Sequence, residues 1–255
     1  MTVFQDDFIG KRIKKNGLYE KPTLEFVRGY LSDRIEPVIA DVGANIGNHS
    51  LDFSTYASRV YSFEPVGETF GLLKKNIEEN NIDNVIPVNR ALSDEPGVSE
   101  IFIIPRNAGA SSFEERYPGS EKLEVVKIVG DSFFAEQDID RLDFIKVDVE
   151  GHEEQTLRGL MKTIRKFQPT IMMEWRDLEA IKKINESRFL EELKPHYNIM
   201  VLGSKREKSY WKGKFIGSLR RKLAKIFLQD KAIMYPFDAR EQYRNILLIP
   251  KSSLR

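Results

Sequence analysis

The chain has 255 residues, 41% of them apolar, enough for one large α/β domain or two small ones with a sizeable core. Forty basic residues nearly cancel thirty-nine acidic ones, so the global charge gives no reason to expect nucleic acid, and the lack of cysteine excludes disulfide scaffolds, cysteine-rich zinc sites and thiol nucleophiles. Asp6 and Asp7 stand where a secretory signal needs basic residues, and no apolar run approaches the roughly 18 residues of a membrane span, so a cytoplasmic setting is expected.

In chain order, an N-terminal helical arm at 1–36, with a helix from Pro22, precedes a domain at 37–255. Short apolar runs predict strands near 37–42, 59–64, 84–90, 142–148, 169–175, 196–202 and 244–249. Between them Asn48–Ala57, Glu68–Glu79, Glu153–Lys166 and Leu178–Leu193 carry apolar residues at helical spacing. Such alternation predicts a doubly wound α/β domain, a mostly parallel sheet with helices on both faces.

Two segments interrupt the alternation. An excursion at 98–130 reads as two strands, Val98–Ile104 and Leu123–Val129, around a loop with Gly109, Ser111, Ser112, Pro118 and Gly119. A basic insertion at 204–240 carries Lys205, Arg206, Lys208, Arg220, Arg221 and Lys225. Within it Leu219, Leu223, Ile226 and Phe227 recur at helical spacing and fit an amphipathic helix. For 204–231 a peripheral contact with an anionic membrane face competes with an ordinary solvated charged face.

The first strand runs into Asp41-Val42-Gly43-Ala44-Asn45-Ile46-Gly47, where Gly43 and Gly47 let the backbone turn sharply and approach a ligand. The turn lacks the glycine spacing of a dinucleotide fingerprint and the Gly-Lys-Ser/Thr of a phosphate loop. A phosphate-free nucleoside such as S-adenosyl-L-methionine suits it better. The second strand ends in Glu64-Pro65, where a carboxylate can accept hydrogen bonds from both hydroxyls of a ribose. Ala91-Leu92-Ser93-Asp94 after the third strand can flank an adenine or form a plain turn. Asn45 contributes to the cofactor site or merely stabilises its own turn.

These motifs, with Phe144-Ile145-Lys146-Val147-Asp148-Val149-Glu150-Gly151-His152-Glu153, resemble in order and spacing the FkbM-type methyltransferases. The resemblance covers about residues 36–203. It implies a Rossmann-like class I methyltransferase fold with a seven-stranded sheet, and methyl transfer to a hydroxyl, often on sugars or secondary metabolites. The expected cofactor-binding set is Asp41, Gly43, Asn45, Gly47, Glu64, Ala91, Leu92 and Asp148.

For the reacting end, Asp148 and Glu174 close neighbouring strands, and Glu150 and His152 crowd the next turn. An alcohol is a poor nucleophile until a base takes its proton or a metal lowers its pKa. His152 is read as the base, with Asp148, Glu150 and Glu174 as supporting catalytic residues. The same three acids can instead hold Mg²⁺, a reading not favoured. Phe113, Tyr117, Trp175, Tyr210 and Trp211 are candidates to stack on a small-molecule or glycan acceptor, and the basic insertion suits an anionic one. The competing functions are a nicotinamide-dependent oxidoreductase and a non-catalytic cofactor-binding module of the same fold.

Overall fold

The computed structural model describes residues 1–4, 8–104, 107–113, 119–204 and 231–254. In chain order, helices α1 (Phe8–Asn16) and α2 (Lys21–Tyr30) lead into β1 (Val38–Val42), α3 (Asn48–Ser54), β2 (Arg59–Phe63), α4 (Gly67–Glu79) and β3 (Val85–Val88). After β4 (Ala91–Ser93) the excursion follows as β5 (Gly97–Ile104), β6 (Asn107–Ser112) and β7 (Glu121–Val129), then α5 (Gly130–Glu136). The chain continues through β8 (Phe144–Val147), α6 (Glu153–Arg158), α7 (Met161–Phe167), β9 (Thr170–Glu174), α8 (Leu178–Glu186) and α9 (Phe189–Leu193). It closes with β10 (Tyr197–Ser204), β11 (Ala232–Pro236) and β12 (Asn245–Pro250).

The main sheet has the order β11-β10-β12-β9-β8-β1-β2-β3. Pairing is parallel from β3 to β9, while β12 runs antiparallel to both β9 and β10. The doubly wound expectation holds, but with eight strands rather than seven. The eighth, β11, lies in what the sequence presented as the basic insertion, where its short run Ala232–Pro236 was hidden by flanking charge. The excursion folds with β4 as a separate four-stranded sheet, β4-β7-β5-β6, which adds β4 and β6 to the two strands expected.

Strand parity decides what each face carries. On β1, Val38, Ala40 and Val42 point to one face and join Leu157, Leu160 and Ile164 of the α6–α7 layer. Ile39 points to the other, with Leu24, Val27 and Phe53 of α2 and α3. Side chains alternate along a strand, so Asp41 must fall on the α2–α3 face. Helix α2 therefore belongs to the core, and Arg28 ties it to Asp52 of α3 at 2.7 Å. Among the described residues no helix is long and apolar enough to cross a membrane.

One expected helix, Glu153–Lys166, is broken into α6 and α7. The interruption falls at Gly159, where a Cβ would lie 2.0 Å from the Ser93 carbonyl oxygen, so the second sheet packs against bare backbone. Gly43 is likewise obligatory. Its φ is +77°, and a Cβ there would lie 1.9 Å from the Asp148 carbonyl oxygen. The turns after β1 and β8 are thus in direct backbone contact. Gly43→Ala combines left-handed strain with that overlap and is expected to cost about 2–4 kcal/mol by urea unfolding. A change below about 0.5 kcal/mol would mean that the two turns are not rigidly packed.

Candidate functional site

The register of three adjacent strands lays a polar strip across the α2–α3 face. Asp41 stands opposite Ser62 on β2 and opposite Lys146 on β8. The Lys146 ammonium, itself buried, lies 3.1 Å from Asp41 and 3.6 Å from Asp148, and it donates to the Gly43 carbonyl at 3.0 Å. Ser62 donates to Ser50 at 2.8 Å, and Ser50 donates to Asp41 Oδ2 at 2.6 Å. Burial alone would raise the Asp41 pKa, but Lys146, then His49 and Ser50, hold it below the ordinary value. Burial would likewise lower the Lys146 pKa, and Asp41 and Asp148 more than reverse that. An ion pair in such a place depends on supporting hydrogen bonds, here Ser50 on the carboxylate and the Gly43 carbonyl on the ammonium.

Above the strip a cavity of about 520 Å³ opens at the carboxyl ends of the strands, within the usual size of a small-molecule site. Glu64 is on its wall although only 6% exposed. One carboxylate oxygen accepts from the Asn45 amide and the other from the Val66 amide, both at 2.9 Å. Burial pushes its pKa up to about 7 against those two bonds. Asn45 has φ 51°, and its side chain accepts from the Ile46 amide at 2.7 Å, so this side chain stabilises its own turn. Gly43 lines the cavity, whereas Asp41 and Gly47 are not on its wall. Asp41 acts from below through Lys146, and Gly47 caps α3.

Beyond Glu64, Val66, Ala91, Leu92, Ile101 and Phe113 form an apolar slot. The His152 ring stacks on Phe113, with centroids 4.2 Å apart, and Nε2 is 3.0 Å from Ser93 Oγ. Burial is the main cause that lowers its pKa to about 4, so the imidazole is neutral at working pH and a weak base. This placement counts against the sequence-based expectation that His152 takes the proton. It is a cavity-wall ring facing the slot.

In the opposite direction along the sheet, Val147 pairs with Met173, which brings the next residues, Asp148 and Glu174, side by side. Glu150, in the left-handed region at φ 52°, joins them, and one carboxylate oxygen from each of the three lies within 4.8 Å of the others. Burial, then Asp148, Glu150 and Glu153, raise the Glu174 pKa far above the carboxylate range, and Arg176 opposes this only from 3.9 Å. Glu153 is no part of the wall. It is buried, and it accepts from the Gly151 amide at 3.0 Å to brace the turn that presents Glu150.

Among the wall residues that escaped sequence reading are Tyr19, Glu20, Asn48, His49 and Arg176. Asn48 holds the Tyr19 backbone by two bonds, donating to its carbonyl at 2.9 Å and accepting from its amide at 3.0 Å. His49 sits two residues beyond the glycine turn, a position from which it was recoverable; no local signal marks Tyr19 or Glu20. Lys146 was visible in the Lys-x-Asp segment but had no partner until the register supplied Asp41. Trp175 is not available for stacking, since it is 1% exposed and its indole donates to the Glu241 carbonyl at 3.0 Å. Tyr117, Tyr210, Trp211 and residues 205–230 of the basic insertion lie outside the described residues.

Removing one partner of the strip strands the other. Lys146→Met is expected to cost about 3–5 kcal/mol. The double variant Asp41→Asn/Lys146→Met should cost less than the sum of the singles by about 1 kcal/mol or more in a denaturation cycle. Additive costs would refute the coupling.

Residues 41–197 match the methyltransferase FkbM domain. The hexuronic acid methyltransferase AglP of Haloferax volcanii is 32% identical over 130 residues, which cover 51% of this chain and 52% of that protein. The methyltransferase sdnD of Sordaria araneosa is 28% identical over 160 residues, covering 49% and 60%. The chain thus spans between 52% and 60% of these two relatives. In fold it is similar to the crystal structure of a methyltransferase FkbM from Methylobacillus flagellatus KT, with a TM-score of 0.53 at 15% identity over 91% of this chain and 48% of that one. With the domain match running over more than half of its length, the chain belongs to the FkbM methyltransferase family.

Proposed function

We propose that the chain transfers a methyl group from S-adenosyl-L-methionine to a hydroxyl of a sugar, glycan or secondary metabolite. The observation that carries the donor assignment is the Glu64 carboxylate. A carboxylate offers about four lone-pair sites. The Asn45 and Val66 amides use two, and the others match the two hydroxyls of a ribose. The apolar slot at Ala91 and Leu92 then takes the adenine between flat and aliphatic walls, with Phe113 and the neutral His152 ring at its edge. In this reading the methionine portion lies over Gly43 and Asp148, next along the strand order from Glu64. A dinucleotide would need a pyrophosphate subsite, and the turn at Gly43–Gly47 lacks the spacing that makes one.

The acceptor end is supported by the chemistry of Asp148, Glu150 and Glu174. Clustered carboxyl groups bind and orient hydroxyls, and the raised Glu174 can donate to one ligand oxygen while Asp148 accepts from another. The hexuronic acid relative supports a sugar acceptor. Arg176, on the same wall, is the cation available to an acidic sugar. Mg²⁺ at the three carboxylates is the second reading, favoured by their spacing. We favour metal-free transfer because Lys146 already offsets Asp148. Turnover that survives exhaustive chelation supports this choice, and turnover restored only by Mg²⁺ overturns it.

The donor assignment is tested by calorimetric titration with S-adenosylhomocysteine and with NAD. Micromolar binding of the first alone is expected, and the reverse pattern would return the oxidoreductase alternative. Glu64→Ala should weaken S-adenosylhomocysteine binding more than it slows transfer. Wild-type affinity should also rise with pH through about 7, as the carboxylate that accepts from the ribose forms, with release of a proton. An affinity unchanged across that window contradicts the assignment.

A further inference from the structure

We infer that His49, held by Glu20 of the N-terminal arm, is the base that takes the proton of the acceptor hydroxyl. The inference rests on the methyl-transfer reading above and adds to it a catalytic residue and a positioning residue.

Both residues line the cavity, and His49 Nε2 is 3.4 Å from a Glu20 carboxylate oxygen. Glu20 arrives from the loop before α2 with a left-handed backbone at φ 56°. A non-glycine residue is kept in that region only when its surroundings over-determine it. Here they do. The other Glu20 oxygen is ion-paired with Arg244, the Arg244 guanidinium lies over the Tyr19 ring at 6.0 Å, and Asn48 fixes the Tyr19 backbone. Although burial would raise the Glu20 pKa, His49 and then Arg244 hold it near 2, so the carboxylate stays charged beside the ring.

The pair also stands at the reacting end. His49 is on α3, on the face that carries Asp41 and Lys146, and it acts electrostatically on Asp41. Arg244 precedes β12, whose first residue, Asn245, pairs with Glu174. Glu20 therefore spans from α3 to the strand end that presents the acid cluster. His152 lies across the sheet at the slot, bonded to Ser93. Of the two histidines on the wall, His49 is the one with a charged carboxylate behind it.

In the step proposed, the acceptor oxygen forms a bond to the methyl carbon as the carbon–sulfur bond breaks. The bonding pair passes to sulfur, and the sulfonium becomes a neutral thioether. The hydroxyl proton moves to His49 Nδ1, because Nε2 is buried against Glu20, and the Glu20 carboxylate stabilises the resulting imidazolium. The charged groups around the pair are Glu20 and Asp41, which His49 acts on directly, and Arg244 and Lys146, which act on Glu20.

The test uses the full chain, labelled S-adenosylmethionine and a panel of para-nitrophenyl β-glucuronide, β-glucoside and β-galactoside. In His49→Gln, kcat on the best probe should fall about 100-fold or more, and in Glu20→Gln about 10-fold or more. Affinity for S-adenosylhomocysteine should stay within about threefold in both variants. Glu20→Gln should also move the acidic limb of the kcat–pH profile to lower pH, and Glu20→Asp should recover part of the loss. If Glu20→Gln does not fold, His49→Gln and Glu20→Asp carry the same comparison. Near-wild-type kcat overturns the inference, as does donor affinity that falls in step with kcat, which would place the pair on the methionine portion instead. No transfer by the wild type to any hydroxyl probe removes the methyl-transfer reading, and the base with it.

Discussion

The buried pair of Asp41 and Lys146 is the interaction on which the site depends. Two charges at the centre of a sheet are costly to desolvate, and this pair persists because every neighbouring group is committed to it. Ser50 donates to the carboxylate and is itself held by Ser62, and the Gly43 carbonyl and Asp148 share the ammonium. The consequence is positional. The turn after β1 and the turn after β8 are fastened to one cation and pressed together at Gly43, so in the proposed reading the donor loop and the acceptor carboxylates hold a fixed separation. Precision of this kind is what an in-line displacement requires.

The strand order then orders the site. From β3 through β2, β1 and β8 to β9, the strand ends present the apolar slot, Glu64, the glycine turn, Asp148 and Glu174 in sequence. In the proposed reading this is adenine, ribose, methionine and acceptor laid along one line. The two sheet faces contribute different chemistry to that line. The α6 side brings a neutral, stacked imidazole at His152. The α2–α3 side brings Glu20 and His49, braced by Arg244 from the turn before β12.

Much of this was legible in the sequence because it rests on local patterns. Apolar runs and glycine spacing located seven of the eight strands of the main sheet, the glycine turn and Glu64, and Asp148 and Glu174 followed from their places at strand ends. What stayed hidden depends on register and on contacts distant in the chain. Lys146 gains its meaning only opposite Asp41, and Glu20 becomes part of the wall through a partner more than two hundred residues away, Arg244. His152 looked poised beside its motif, but burial and the Phe113 stack, which no spacing reveals, make it a weak base. The break at Gly159 and the strand β11 were missed for the same reason, since each is set by what packs against it.

The central claim is that Glu64 reads the ribose of a phosphate-free donor. It is tested most directly by comparing the affinity of the wild-type chain for S-adenosylhomocysteine with its affinity for the analogue lacking both ribose hydroxyls. Two hydrogen bonds to a buried carboxylate, each worth about 1.5–3 kcal/mol, predict that the analogue binds about a hundredfold more weakly or worse. Equal affinity for the two compounds would contradict the account.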